Sequence, residues 1–285
     1  MPLARYPKYV IDLHTHSTAS DGTDSPAQLV ANAKAAGVTT LGTTDHDTIA
    51  GWDEAAEAAQ ANGINLVRGT EISTTMGWRS LHLLSYLHDP THPALLTALK
   101  RTQDSRLERL QKMTALLAAD YPITWDSVCA QIEPGASVGR PHIADALVAA
   151  GVVPDRDAAF ATMLKPGSPY YIRYQAPQTV AIITAVRAAG GVPVAAHPFA
   201  ARYAQLSDDD FATLAAAGLL GIEVWHREHT AGGRAHALRL SHQLGLLPTG
   251  SSDYHGTGKP NRLGENFTTP EVLEKIAALG ALPIV

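Results

Sequence analysis

The stretch Tyr9-Val10-Ile11-Asp12-Leu13-His14-Thr15-His16 joins a short apolar, β-branched run to two histidines at its end. Runs of this composition favour a buried strand. In an extended chain, residues i and i+2 point to the same side, so the imidazoles of His14 and His16 can converge on one ion. The pair is weak evidence alone, and its meaning depends on the residues at the ends of the other strands.

Similar runs recur along the chain and alternate with Ala-rich segments that are typical of helices. The predicted strands cover residues 9–13, 38–43, 64–68, 81–86, 192–196, 221–225 and 246–250. Strands that alternate with helices in this way indicate βα units and a parallel sheet, and therefore an α/β fold.

This alternation stops between about residues 95 and 174, where the sequence predicts helices and no strand. The predicted helices cover residues 92–119, 124–132, 141–151 and 155–164. A helical insertion of this length between two barrel strands is typical of a cap over a site. We therefore predict a barrel formed by residues 1–94 and 175–285, with residues 95–174 as an inserted helical cap.

The composition excludes several classes of protein. A formal net charge of -5 argues against a broad basic surface that would bind duplex DNA. The single cysteine, Cys129, excludes a disulfide framework and a cysteine-rich zinc site, and it favours a reducing, cytoplasmic setting. No apolar stretch is long enough to cross a bilayer, so we expect no membrane association. Thirteen histidines, by contrast, indicate metal sites built from imidazole and carboxylate groups.

Ligand-type side chains follow five of the seven predicted strands, and the fourth strand contains a histidine within an apolar run. These residues are His14, His16, Asp45, His46, Glu71, His82, His197, Asp253 and His255. Each alone could be a structural residue. In a parallel barrel, however, all carboxyl ends of the strands open on one face, so a shared metal site explains the whole set. Two or three divalent ions fit this number of ligands, and the nitrogen and oxygen donors allow Mn²⁺, which we favour, or Zn²⁺ or Fe²⁺.

Two further carboxylates, Asp12 and Asp21, lie close to these residues in sequence. We expect Asp12 and Asp45 to accept the second imidazole N–H of neighbouring histidines and so fix their tautomers. For Asp21, in Ser20-Asp21-Gly22, the residues alone leave two roles open, a metal ligand and a turn residue.

Separated segments of the chain resemble, in order and spacing, the polymerase and histidinol phosphatase (PHP) family of the amidohydrolase superfamily. The segments are His14-Thr15-His16, Thr44-Asp45-His46 with Glu71, His82, Ala196-His197-Pro198 and Ser252-Asp253-Tyr254-His255. The resemblance implies a distorted (β/α)7 barrel and a two- or three-metal site. It implies one ion held by His14, His16, Glu71 and Asp253, a second by Glu71, His82 and His197, and a third by Asp21, His46 and His255.

Within this family, Gly139-Arg140-Pro141-His142-Ile143-Ala144 and the strand at residues 221–224 look like the branch of the 3′,5′-nucleotide bisphosphate phosphatases. That branch also contains 5′-to-3′ exoribonucleases that act on short RNA. The resemblance therefore implies a phosphatase that removes the 3′-phosphate of nucleoside 3′,5′-bisphosphates. The alternatives are an exoribonuclease on short RNA, a histidinol-phosphate-type phosphatase and a non-catalytic metal-binding module.

A metal-bound hydroxide is the nucleophile that such a site predicts, with the ions neutralising charge on the phosphoryl oxygens. His229, shortly after the sixth strand, is the expected proton donor. A small nucleotide or short RNA is the expected partner, and no obligate protein partner is evident. The candidate substrate contacts are Arg106, Arg140, His142, Lys165, Arg202 and His229.

Overall fold

The structure, a computed structural model, describes residues 9–173, 175–201 and 205–285. In these ranges the strands are β1 (Ile11–Thr15), β2 (Thr40–Thr43), β3 (Asn65–Met76), β4 (Arg79–Tyr86), β5 (Val192–Ala196), β6 (Gly221–Trp225) and β7 (Leu247–Gly250). The helices are α1 (Pro26–Ala35), α2 (Trp52–Asn62), α3 (Pro93–Leu117), α4 (Trp125–Cys129), α5 (Arg140–Ala149), α6 (Arg156–Thr162), α7 (Thr179–Ala188), α8 (Asp208–Ala216), α9 (Ala231–Leu244) and α10 (Pro270–Leu279).

The seven strands pair in sequence order and form a nearly closed barrel. The segment after β7 reaches back to β1, where Asp253 N donates to His14 O at 2.9 Å and His16 N donates to Tyr254 O at 2.8 Å. The predicted α/β barrel is therefore confirmed. Its helices lie around the sheet; for example, Pro26 starts α1, and Gly37, with φ of 83°, follows it.

One strand departs from the predicted parallel arrangement. β4 is antiparallel to both β3 and β5, while the other neighbouring pairs are parallel. The expectation that all seven strands run parallel is thus wrong at β4. The reason is that β3 turns directly into β4 at Gly77, with φ of 62°, and a hairpin this short can only join antiparallel strands.

The reversal of β4 decides where His82 lies. Because β4 runs against its neighbours, its amino-terminal half lies at the edge where the other strands end. His82 is paired with Ala196, the residue before His197, on one side and with Ser73 on the other. A histidine inside the fourth strand therefore reaches the same edge as residues that follow the other strands.

The insertion after β4 packs as a helical layer with its own apolar cluster. Its described part carries α3 to α6, and the cluster includes Leu110, Met113, Ile143 and Leu147. The layer contacts the barrel near the first loop, where Ser137 N donates to Ala19 O at 2.9 Å. None of the helices in the described ranges combines the length and apolarity needed to cross a membrane.

Candidate metal centre

The predicted ligand side chains lie together at the edge of the barrel where β1 ends. They are His14, His16, Asp21, His46, Glu71, His82, His197, Asp253 and His255. The most accessible side chain of the set, that of His82, is only 16% exposed. Water is therefore largely excluded from the centre of the cluster, which strengthens electrostatic interactions within it.

Glu71 lies at the middle of the cluster, with histidine nitrogens around both carboxylate oxygens. Oε1 lies 2.7 Å from His82 Nδ1 and 2.9 Å from His197 Nε2, and Oε2 lies 3.1 Å from His16 Nε2, 3.1 Å from His46 Nδ1 and 3.3 Å from His14 Nε2. Burial acts to raise the pKa of Glu71, but the surrounding histidines hold that pKa well below its usual range. A carboxylate in this position can bridge neighbouring cations.

Donor atoms within 4.8 Å of one another form three overlapping groups. The groups are His14, His16, Glu71 and Asp253; His46, Glu71 and His82; and His16, Asp21, His46 and His255. They share members, as expected for adjacent ions with common ligands.

Two buried histidine nitrogens show that this donor set fits cations. His46 Nδ1 and His255 Nε2 point into the cluster and make no hydrogen bond with the described residues. They lie 3.1 Å from Glu71 Oε2 and 3.3 Å from Asp21 Oδ1, respectively. Buried polar atoms are rarely left without a partner, and a divalent ion would satisfy both nitrogens.

The backbone is strained at two of these residues. His197 and Asp253 have φ angles of 28° and 55°, which non-glycine residues rarely adopt. Hydrogen bonds hold both: His197 N donates to Glu223 Oε2 at 2.6 Å, and Asp253 N donates to His14 O at 2.9 Å. Such strain persists where the surrounding structure fixes a functional geometry.

Known proteins resemble this chain over most of its length. The model of the PHP domain matches residues 12–131. A 3′,5′-nucleoside bisphosphate phosphatase from Chromobacterium violaceum is 33% identical over 271 residues, which cover 93% of this chain and 94% of that relative. The chain belongs to the PHP family.

Two further relatives of this PHP chain agree on phosphoester chemistry. A 5′-3′ exoribonuclease from Haemophilus influenzae is 39% identical over 188 residues, 66% of this chain and 68% of that protein. A solved structure from Bifidobacterium adolescentis, described as a metal-dependent phosphoesterase, has a TM-score of 0.94 and 43% sequence identity to this chain. The aligned region covers 96% of this chain and 98% of the chain in that structure. This PHP protein is a metal-dependent hydrolase that acts on phosphate esters.

Glu223, on β6, orients His14 of the PHP metal centre. It was not identified from the sequence as a site residue. Its Oε1 accepts from His14 Nδ1 at 3.1 Å and also from the Ser251 hydroxyl. Although burial acts to raise it, the neighbouring histidines, His14 first, lower the pKa of Glu223 to about 2. The ionised carboxylate fixes the His14 tautomer, so that Nε2 faces the cluster. A carboxylate within the otherwise apolar run Gly221–Trp225 was the available signal in the sequence.

The two aspartates that were expected to orient imidazoles bind backbone and hydroxyl groups instead, so that prediction is wrong. Asp12 accepts from Ser252 N at 2.9 Å and Gly264 N at 2.8 Å, and it thereby fixes the loop that carries Asp253. Asp45 accepts from the hydroxyls of Ser17 and Ser20 at 2.7 and 2.6 Å.

The histidine next to the centre is His226, whereas the prediction chose His229. His226 is buried, its Nδ1 accepts from Glu228 N at 3.2 Å, and its Nε2 lies 3.6 Å from Asp253 Oδ2. His229 Nδ1 donates to Val224 O at 3.1 Å, and Nε2 accepts from Phe199 N at 3.2 Å. Both ring nitrogens of His229 are thus engaged by the backbone, which argues against its predicted roles in proton donation and phosphate contact.

Two of the three arginines predicted to bind phosphate, Arg106 and Arg140, are also engaged within the protein. Arg106 Nε donates to Asp47 Oδ2 at 2.6 Å, and Arg106 Nη2 donates to Ser73 Oγ at 2.5 Å. Arg140 donates to Leu164 O at 2.7 Å, and its guanidinium lies 5.0 Å from the ring centre of Phe160. Arg106 thereby links α3 to the barrel, and Arg140 is fixed within the helical insertion.

The remaining predicted substrate contacts have different surroundings. His142 Nδ1 accepts from Gly139 N at 3.1 Å, and its side chain lines a cavity of about 160 Å³ near Asp21. Lys165 is exposed on the helical insertion. Arg202 lies outside the described residues, so its predicted role is retained only as a prediction.

Proposed function

We propose that this chain hydrolyses the 3′-phosphate of nucleoside 3′,5′-bisphosphates, releasing a nucleoside 5′-phosphate and inorganic phosphate. The observation that supports this substrate most strongly is that the likeness to the C. violaceum bisphosphate phosphatase extends over 93% of the chain. It therefore includes the helical insertion as well as the metal motifs. A likeness confined to the motifs would favour phosphoester hydrolysis without favouring this substrate.

The proposed ligands divide into three sets, two of which share Glu71, and Mn²⁺ is the ion we favour. His14, His16, Glu71 and Asp253 would form the first set. The others would be Glu71, His82 and His197, and Asp21, His46 and His255. Bound divalent ions would lower the pKa of a coordinated water and neutralise charge on the phosphoryl group.

The protein's own contribution is orientation. Glu223 accepts from His14 Nδ1 and so directs Nε2 to the cluster, while Ser20 Oγ, which donates to Asp45, lies 3.4 Å from His16 Nδ1. The low exposure of the cluster limits the contact of bulk water with the ester. Positioning and electrostatic stabilisation are what phosphoryl transfer requires from an enzyme.

A 5′-to-3′ exoribonuclease acting on short RNA is the second candidate. The H. influenzae exoribonuclease is 39% identical over 66% of this chain. The chain's net charge of -5 disfavours long polymers as substrates, but trimers and similar short RNAs carry few phosphates.

One pair of assays separates these candidates. Mn²⁺-loaded protein is expected to convert adenosine 3′,5′-bisphosphate to AMP and phosphate faster than it shortens a 5′-labelled RNA trimer. A variant with His14→Ala and His16→Ala should do neither. If the protein releases no phosphate from the bisphosphate while cleaving other monoesters, the proposed substrate is wrong, and faster trimming of the trimer would favour the exoribonuclease.

A further inference from the structure

The segment that follows His255 places a lysine, Lys259, beside the metal centre. Lys259 Nζ lies 2.8 Å from Asp253 Oδ2. The lysine side chain is 31% exposed, whereas that of Asp253 is 2% exposed. Lys259 therefore lies at the boundary between the buried cluster and solvent, where an entering substrate would meet the protein.

The two oxygens of Asp253 face different groups. Oδ1 lies 3.4 Å from both His14 Nε2 and His16 Nε2, among the other candidate ligands. Oδ2 faces Lys259, and His226 Nε2 lies 3.6 Å from the same oxygen. Lys259 thus does not occupy the oxygen that faces the ligand cluster, so it can remain in place when ions are bound.

The loop that carries Lys259 is held at both ends. Before the lysine, Thr257 N donates to Thr23 Oγ1 at 2.9 Å. A Cβ on Gly256 would meet Thr23 Oγ1 at 2.0 Å, and one on Gly258 would meet Arg156 Nη1 at 2.2 Å. After the lysine, Asn261 Nδ2 donates to Ser252 O at 2.6 Å. Because glycine has no side chain, the loop can pass this close to Thr23 and Arg156. The anchored loop therefore holds Lys259 in a defined position.

Several other cations near the site are held by internal partners. Arg106 is paired with Asp47, and Arg140 donates to Leu164 O. Arg156 makes two contacts with Asp145, at 2.6 and 2.7 Å, and a third with Asp21 O. An ammonium has three N–H donors on a flexible stem, so Lys259 can contact Asp253 and still donate to an anionic oxygen.

We infer that Lys259 binds a non-bridging oxygen of the substrate phosphate at the mouth of the metal centre. The inference rests on hydrolysis of a phosphate ester at the proposed metal centre and names the cation that binds the phosphate of that ester. The single positive charge of Lys259 then both orients Asp253 and positions the phosphate. This cation was missed in sequence because it lies six residues after Asp253, beyond the metal motif.

The test measures the binding of inorganic phosphate to Mn²⁺-loaded Lys259→Met by titration calorimetry, with metal content determined in the same samples. We expect unchanged metal content and a phosphate affinity lowered about ten- to hundredfold, the loss expected for one hydrogen bond between charged groups. KM for the phosphate ester should rise, and Lys259→Arg should restore much of the binding. Lys275→Met, on the exposed face of α10, is the matched control and should bind phosphate like the wild type.

Two results with the Lys259 variants would overturn the inference. Unchanged phosphate affinity and KM in Lys259→Met would show that the lysine does not contact the ester. Loss of metal together with phosphate binding would show that it only holds Asp253; Lys259→Gln provides a second variant if the Met variant does not fold. Failure of the bisphosphate assay leaves this test intact, whereas a wild-type protein that hydrolyses the bisphosphate but binds no phosphate would overturn this inference alone.

Discussion

Replacing Glu71 with Gln is expected to remove nearly all phosphoesterase activity. The substitution keeps the shape of the side chain but removes the charge that five histidines surround. Metal ions supply several kcal/mol of transition-state stabilisation, so loss of the shared ligand should lower kcat/KM by roughly 10³-fold or more. Phosphate release by the Mn²⁺-supplemented variant measures this loss, and metal analysis measures the ions retained.

Glu271→Gln is the matched control for this substitution. Glu271 is exposed in the first turn of α10, so the variant should keep the activity and metal content of the wild type. Glu71→Gln protein that retained full metal content and activity within about tenfold of the wild type, a difference of only about 1.4 kcal/mol, would contradict the bridging role.

Replacing Arg106 with Met is expected to destabilise the protein by about 3–5 kcal/mol, the usual cost of removing one partner from a buried ion pair. Asp47 is fully buried, and Arg106 and Ser73 are its side-chain partners. The Asp47 carbonyl also accepts from Gln103 Nε2 at 2.9 Å. Two side chains of α3, Gln103 and Arg106, therefore hold Asp47, the residue next to His46. The free energy of unfolding in urea, measured at neutral pH, checks the expected loss.

Arg79→Met tests whether the loss of any arginine–carboxylate pair lowers the free energy of unfolding by as much. Arg79 forms two contacts with Asp210 near the surface, at 2.6 and 2.8 Å, so its replacement should cost much less stability. The double variant Asp47→Asn with Arg106→Met should lose less than the sum of the two single variants, because they remove the same interaction. Equal losses for Arg79→Met and Arg106→Met would contradict a special role for the buried pair.

The barrel and the residues of the metal centre were predictable because they depend on local patterns. Short apolar runs indicated the strands, and ligand-type residues at successive strand ends indicated the members of the cluster. His82 was found for a related reason, since an imidazole inside the apolar run Leu81-His82-Leu83-Leu84 is costly to bury unless it has a polar partner or an ion. The direction of β4 was not predictable in the same way, because a turn at Gly77 replaces the helical crossover that the alternation suggested.

The partners of the site residues were harder to predict because they come from distant parts of the chain. Glu223 and His14 are 209 residues apart, and Arg106 and Asp47 are 59 apart. Sequence spacing could not distinguish His226 from His229, which differ in whether the backbone engages both ring nitrogens. Asp12 was likewise close to His14 in sequence, yet its carboxylate faces the loops of Ser252 and Gly264.

Anomalous scattering from crystals of active, Mn²⁺-loaded protein tests most directly whether these side chains hold the catalytic ions. We predict at least two manganese peaks that share Glu71 as a ligand. One should lie among His14, His16 and Asp253, and another should contact His82 and His197. Crystals of active protein without a manganese peak at bonding distance from Glu71 would contradict the proposed centre.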